Sequence, residues 1–76
     1  MTTEATLYIG TPEALQAEIG LLPCYKGPFV VAGFNAAGLE LTPECCIADK
    51  DEAHAIAEDI AAWLRSEGET VSVLWL

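Results

Sequence analysis

A chain of 76 residues supports one domain, and its 53% hydrophobic content excludes an intrinsically disordered acidic tail. Twelve acidic residues against three basic ones give a net charge of −9, which excludes direct binding to nucleic acid or to an acidic membrane, because both need Lys and Arg. The natural complement of such a chain is a basic partner.

Thr6–Ile9 is a short β-prone run closed by Gly10. Thr11-Pro12-Glu13 then places an N-cap residue, a proline at the first helical position and an acid in the first turn. Leu15, Ile19 and Leu22 recur at helical spacing, and Gly20 and Pro23 end that short helix. Residues 24–28 read as a loop. Phe29–Phe34 is a nearly continuous apolar strand, and Asn35–Gly38 is a tight connection into Leu39–Leu41. Thr42-Pro43 breaks that strand, with Cys45–Ala48 continuing it beyond a bulge. Asp49 caps a long second helix, Glu52 supplies the other half of a capping box, and Gly68 ends it. Thr70–Leu76 alternates as a terminal strand.

The element order is therefore β-α-β-β-α-β, which predicts an α+β fold of ferredoxin-like type over residues 1–76: one antiparallel sheet with two helices on one face. On a helical wheel with Ile56 at zero, Trp63, Ile60, Ala53, Leu64 and Ala57 fall between about 340° and 100°, the expected core stripe. Glu58, Asp51, Asp59 and Glu52 fall between about 200° and 320°, a comb of carboxylates separated by small residues.

Chemical constellations are sparse. Cys24, Cys45, Cys46 and His54 nominally form a Cys₃His set, but adjacent cysteines on a strand point apart and lack knuckle spacing, so the expectation is no metal and small buried thiols. With one histidine in the chain, a cysteine nucleophile has no ready base. Lys26–Val31 faintly resembles the basic-aromatic signature of the RNA-recognition motif, but it lies on the wrong strand, is interrupted by Pro28 and carries the wrong overall charge. There is no glycine-rich phosphate loop, and the expectation is a non-enzyme without cofactors.

The comb remains. Asp51, Glu52, Glu58 and Asp59 have Ala55, Ile56, Ala62 and Trp63 at i+4, where a solvated helix face would place Lys or Arg. Asp51 to Glu58 and Glu52 to Asp59 each span seven residues, about 10.5 Å along the axis and close to three phosphate steps on one DNA strand. Glu40 and Glu44 offer a second row, and Glu67 and Glu69 add to the field. The absence of a basic n-region or a long apolar run points to the cytoplasm.

In size, charge and element order the chain resembles the small phage-encoded anti-CRISPR proteins that act on type I surveillance complexes (Cascade), among them type I-C inhibitors. The resemblance implies a monomeric, non-enzymatic DNA mimic in a bacterial host cell, and the comb itself points to Asp51, Glu52, Glu58 and Asp59, with Glu40 and Glu44 behind them, as the carboxylates that meet a basic protein complex. The resemblance carries no diagnostic motif and assigns no residue by position. The alternative is a ligand-sensing or dimerisation module of ferredoxin-like type, working through the Gly10-Thr11 turn or the edge strand that ends in Trp75.

Overall fold

The computed structural model describes residues 4–20, 26–41 and 43–76. Leu22, Pro23, Cys24, Tyr25 and Thr42, on which parts of the sequence reading fell, lie outside the described residues. The elements are β1 (Glu4–Gly10), α1 (Pro12–Ile19), β2 (Phe29–Phe34), β3 (Glu44–Ile47), α2 (Lys50–Ser66) and β4 (Thr70–Trp75). The α+β class and the order β-α-β-β-α-β are as expected. None of the helices is long and apolar enough to cross a membrane, among the described residues.

The sheet departs from the expected one. Its four strands run β3-β2-β1-β4, with β1 antiparallel to β2, β2 antiparallel to β3, and β1 parallel to β4. It is a mixed sheet, not an antiparallel one. The segment β3-α2-β4 is a true crossover, since β3 and β4 run the same way at opposite edges and α2 spans the sheet between them. The segment β1-α1-β2 is not. Gly10 pairs with Val30, so β2 starts at the end of the sheet where β1 finishes. Eight helical residues cover only about 12 Å, and by Gly27 the chain is again against the Pro12 ring at the start of α1.

The helices also lie on opposite faces. Alternation along β1 and β2 decides this. Ile9 and Val31 join Ile47, Ala53 and Ala57 under α2, and Ala5 and Leu7 join Ala61 and Leu64 further along it. Val30 and Ala32 point the other way, onto Leu15 of α1, with Tyr8 and Ile19 at the margin. The two helices therefore sandwich the sheet, and this explains why Phe29–Phe34 is apolar without alternation: both its faces are covered.

The local signals formed as their chemistry dictates. Thr11 Oγ1 accepts from the Ala14 N–H at 3.2 Å, and Gly20 adopts φ 68° as its N–H donates to the Gln16 carbonyl. Asp49 Oδ1 accepts from the Glu52 N–H at 2.8 Å. The return bond from the Glu52 carboxylate does not form, so only half of the capping box exists and that carboxylate stays in solvent. At the far end Gly68 has φ 89°, the Glu69 N–H donates to Leu64 and the Gly68 N–H to Arg65, a Schellman closure. Past β2, the Leu41 N–H donates to Gly33 and Glu40 bridges Phe34 before Pro43 interrupts the ladder. Pairing resumes with Val31 opposite Glu44 and Phe29 opposite Ile47, so β3 holds one residue more than β2 across that interval. The bulge places Cys46 at φ 61°, its N–H donating to the Lys26 carbonyl.

Candidate functional surfaces

The side of α2 that packs on the sheet is rotated from the expected stripe. Ala53, Ala57 and Ala61 are fully buried at i, i+4 and i+8, with Leu64 beside them. On the wheel these residues occupy about 60° to 140°. Trp63, expected in the core, is 56% exposed. The alanines explain the difference: methyl-sized side chains let the helix backbone approach the sheet, and an indole does not fit into that spacing.

The rotation divides the acidic comb into two rows. His54 stacks on Trp75 of β4, with ring centroids 6.2 Å apart and planes 18° apart, which fixes one flank of α2 as the β4 side. Asp51 and Glu58 share this flank with His54 and the cation Arg65. His54 Nε2 is 3.4 Å from Glu58 Oε1, and Arg65 Nη1 is 3.9 Å from Glu58 Oε2. The expectation of unpaired acids therefore fails at Glu58, for a simple reason: the i+4 position covers only a partner one turn ahead, whereas Glu58 reaches back one turn to His54 and forward two turns to Arg65. Both contacts are half-exposed and individually weak.

The other flank faces β3. Trp63 and Ile60 line a shallow depression of about 250 Å³ with Leu41 and Glu44. Glu52 and Asp59 lie on this flank, both exposed and neither in an ion pair or hydrogen bond through its carboxylate with any described residue. Glu44 opens β3 and is exposed; Glu40 is exposed on the segment that bridges Phe34. Thus the six acids are all on the surface; Asp51 and Glu58 form a partly neutralised row toward β4, and Glu52, Asp59 and Glu44 form a row toward β3 that no described residue pairs. Glu69, counted with the acidic field, is instead tied into the fold through its carboxylate, which accepts from the Ala36 N–H at 2.6 Å.

A second concavity lies at one end of the sheet. The carboxyl ends of parallel β1 and β4 meet the amino ends of α1 and α2 there, around a groove of about 550 Å³. The Gly10-Thr11 turn and Trp75, singled out in the sequence as an alternative working surface, both line it, together with Phe29 and His54. Phe29 and His54 join that surface through long-range placement, Phe29 by the antiparallel pairing of β2 with β1 and His54 by the seating of α2 beside Trp75; the conjunction of two N-cap signals is the one local clue.

The thiols differ from expectation. Cys45 and Cys46 are exposed, not buried, because β3 is an edge strand and only Ile47 of it turns under α2. The Cys46 thiol is held above its ordinary range, first by its hydrogen bond with Cys45 and then by the charge of that neighbour, against an opposing pull from Lys26. No group of three or more His, Cys, Asp or Glu residues capable of holding a metal occurs among the described residues.

Compared with known proteins, the chain matches no family model, no curated protein and no solved structure.

Proposed function

We propose that this protein is a non-enzymatic inhibitor that occupies the nucleic-acid groove of a basic protein complex, its carboxylates standing where phosphates would lie. A type I CRISPR surveillance complex, as for the anti-CRISPR proteins the chain resembles, is the partner to test. The observation that carries this reading is the unpaired row: Glu52, Asp59 and Glu44 are exposed, form no ion pair with any described residue, and flank a half-exposed tryptophan. Like charges left uncompensated in so small a domain cost stability and do nothing for packing. Glu52 and Asp59 keep the two-turn spacing of about 10.5 Å. Trp63 provides the kind of anchor found at interface hot spots, where an apolar centre ringed by charge excludes water.

Asp51 and Glu58 contribute to the same field from the β4 flank, with Glu58 already shared between His54 and Arg65. Charge reversal separates the rows. In a DNA-binding competition with a type I surveillance complex, Glu52→Lys with Asp59→Lys abolishes inhibition, and Asp51→Lys with Glu58→Lys weakens it less. Inhibition by the unaltered protein falls as salt rises, because the attraction is screened. Full inhibition by both double variants would remove the mimicry reading.

A further inference from the structure

We propose that the groove at the ends of β1 and β4 binds a small zwitterion with an aromatic or branched apolar side chain, of the size and charge pattern of a free α-amino acid. Its volume, about 550 Å³, lies within the range of small-molecule sites. Its walls are mostly apolar: Phe29, Trp75 and Leu76, with the His54 ring stacked on Trp75 as a flat panel.

Two charged side chains stand on this apolar groove, Lys50 and Asp51, one of each sign. Neither forms an ion pair or a hydrogen bond with any described residue, whereas the neighbouring Thr11 caps α1 and Asp49 caps α2. The pair decides the ligand class. An anion alone would meet one ammonium group and a chain of charge −9. A cation alone would meet Lys50 and the positive ends of two helices. A neutral apolar ligand would gain nothing from either side chain. A zwitterion satisfies both at once, its carboxylate on Lys50 and the helix ends and its ammonium on Asp51, with the apolar side chain between Phe29 and Trp75. The inference shares Asp51 with the inhibitor reading but does not depend on it, because the groove needs neither the apolar anchor at Trp63 nor the row of acids toward β3.

The test uses Trp75 as its own reporter. The chain has two tryptophans, so Trp63→Phe, an exposed substitution outside the groove, leaves one indole. Leucine, isoleucine and phenylalanine are titrated against this variant, each also as its N-acetyl and its amide derivative, with calorimetry on the same ligands to register binding that leaves the indole unperturbed. The free amino acids are expected to bind saturably, and each blocked form about tenfold or more weaker. Asp51→Asn then erases discrimination against the N-acetyl form, and Lys50→Met against the amide. Absence of saturable binding by both methods up to about 10 mM would overturn the proposal. Blocked forms binding as tightly as the free amino acids would overturn it equally.

Discussion

Glu69 and Ala36, far apart in sequence, are joined by a hydrogen bond of 2.6 Å from the Ala36 N–H to the Glu69 carboxylate. The bond ties Glu69, the last residue between α2 and β4, to the turn that follows β2. Within that turn, Asn35 Oδ1 accepts from the Ala37 and Leu39 N–H groups and the Asn35 N–H donates to the Leu39 carbonyl. A charged acceptor on a part-buried amide is worth more than a neutral one, and removing it leaves the N–H without that partner. Glu69→Ala is therefore expected to destabilise the domain by about 1.5–3 kcal/mol, with Glu69→Gln intermediate. Denaturant unfolding measures both. A Glu69→Ala midpoint equal to the parent's would show that the turn holds without this bond.

The rotation of α2 is tested by two residues that the sequence placed together. Leu64 is fully buried and Trp63 is 56% exposed. Leu64→Ala is expected to cost about 2–5 kcal/mol, whereas Trp63→Ala costs less than about 1 kcal/mol despite removing the larger side chain. Ala57→Leu completes the set: forcing three heavy atoms between α2 and the sheet costs about 1–3 kcal/mol. If Trp63→Ala proved the most damaging of the three, the helix would face the sheet as the wheel first suggested.

That contrast shows where the sequence was legible. Caps, turns and element order rest on local chemistry, so Thr11, Asp49, Gly20 and Gly68 could be read in isolation and are found in those roles. The weak-looking first strand is a central one, flanked by β2 and β4, because Ala5, Leu7 and Ile9 alternate into the core. Which strand lies beside which is not a local property: the return of the chain after α1 depends on loop length, and the parallel pairing of β1 with β4 depends on where α2 lands. The surfaces inherit that limit. The wheel found all four helix acids exposed, yet it could not divide them into two rows, because the division depends on Trp75 standing on one side of α2 and Glu44 on the other. Large side chains dominate a wheel, whereas here the small ones set the contact.

Two glycines separate close approach from backbone strain. At Gly33 an added Cβ would run into the Thr6 carbonyl and meet Leu7 Cδ2 at 2.9 Å, in the middle of the β1–β2 pairing. At Gly38 nothing stands within 4 Å, but φ is 84°. Gly33→Ala is expected to cost on the order of 3 kcal/mol, a large part of the stability of a small domain. Gly38→Ala costs about 1–2 kcal/mol, and Gly38→Asn recovers part of that because asparagine tolerates the left-handed region. Thermal melts of the three variants rank them. Equal losses at the two alanine substitutions would mean that the sheet relaxes around residue 33.

Cys45 and Cys46 make the last test a chemical one. Both thiols are exposed, so access limits neither, and their reactivity reports how much thiolate each presents. At Cys46 the hydrogen bond with Cys45 is the largest influence and raises the thiol, the neighbour's charge and desolvation act in the same direction, and Lys26 alone opposes them. A raised thiol holds its proton to higher pH, so Cys46 reacts with iodoacetamide more slowly near neutrality than an unperturbed exposed cysteine, and its pH–rate curve is displaced upward. Cys45→Ala removes both the hydrogen bond and the neighbouring charge. It should shift the Cys46 curve to lower pH and speed alkylation near neutrality, while the plateau rate at high pH changes little. Lys26→Ala withdraws the opposing influence and should shift the curve further up. Peptide mapping by mass spectrometry assigns the rate to Cys46 and keeps Cys24 out of it. Superimposable curves for the parent and Cys45→Ala would show that the two thiols do not interact, leaving the left-handed backbone at Cys46, φ 61°, as the only unusual feature of that bulge.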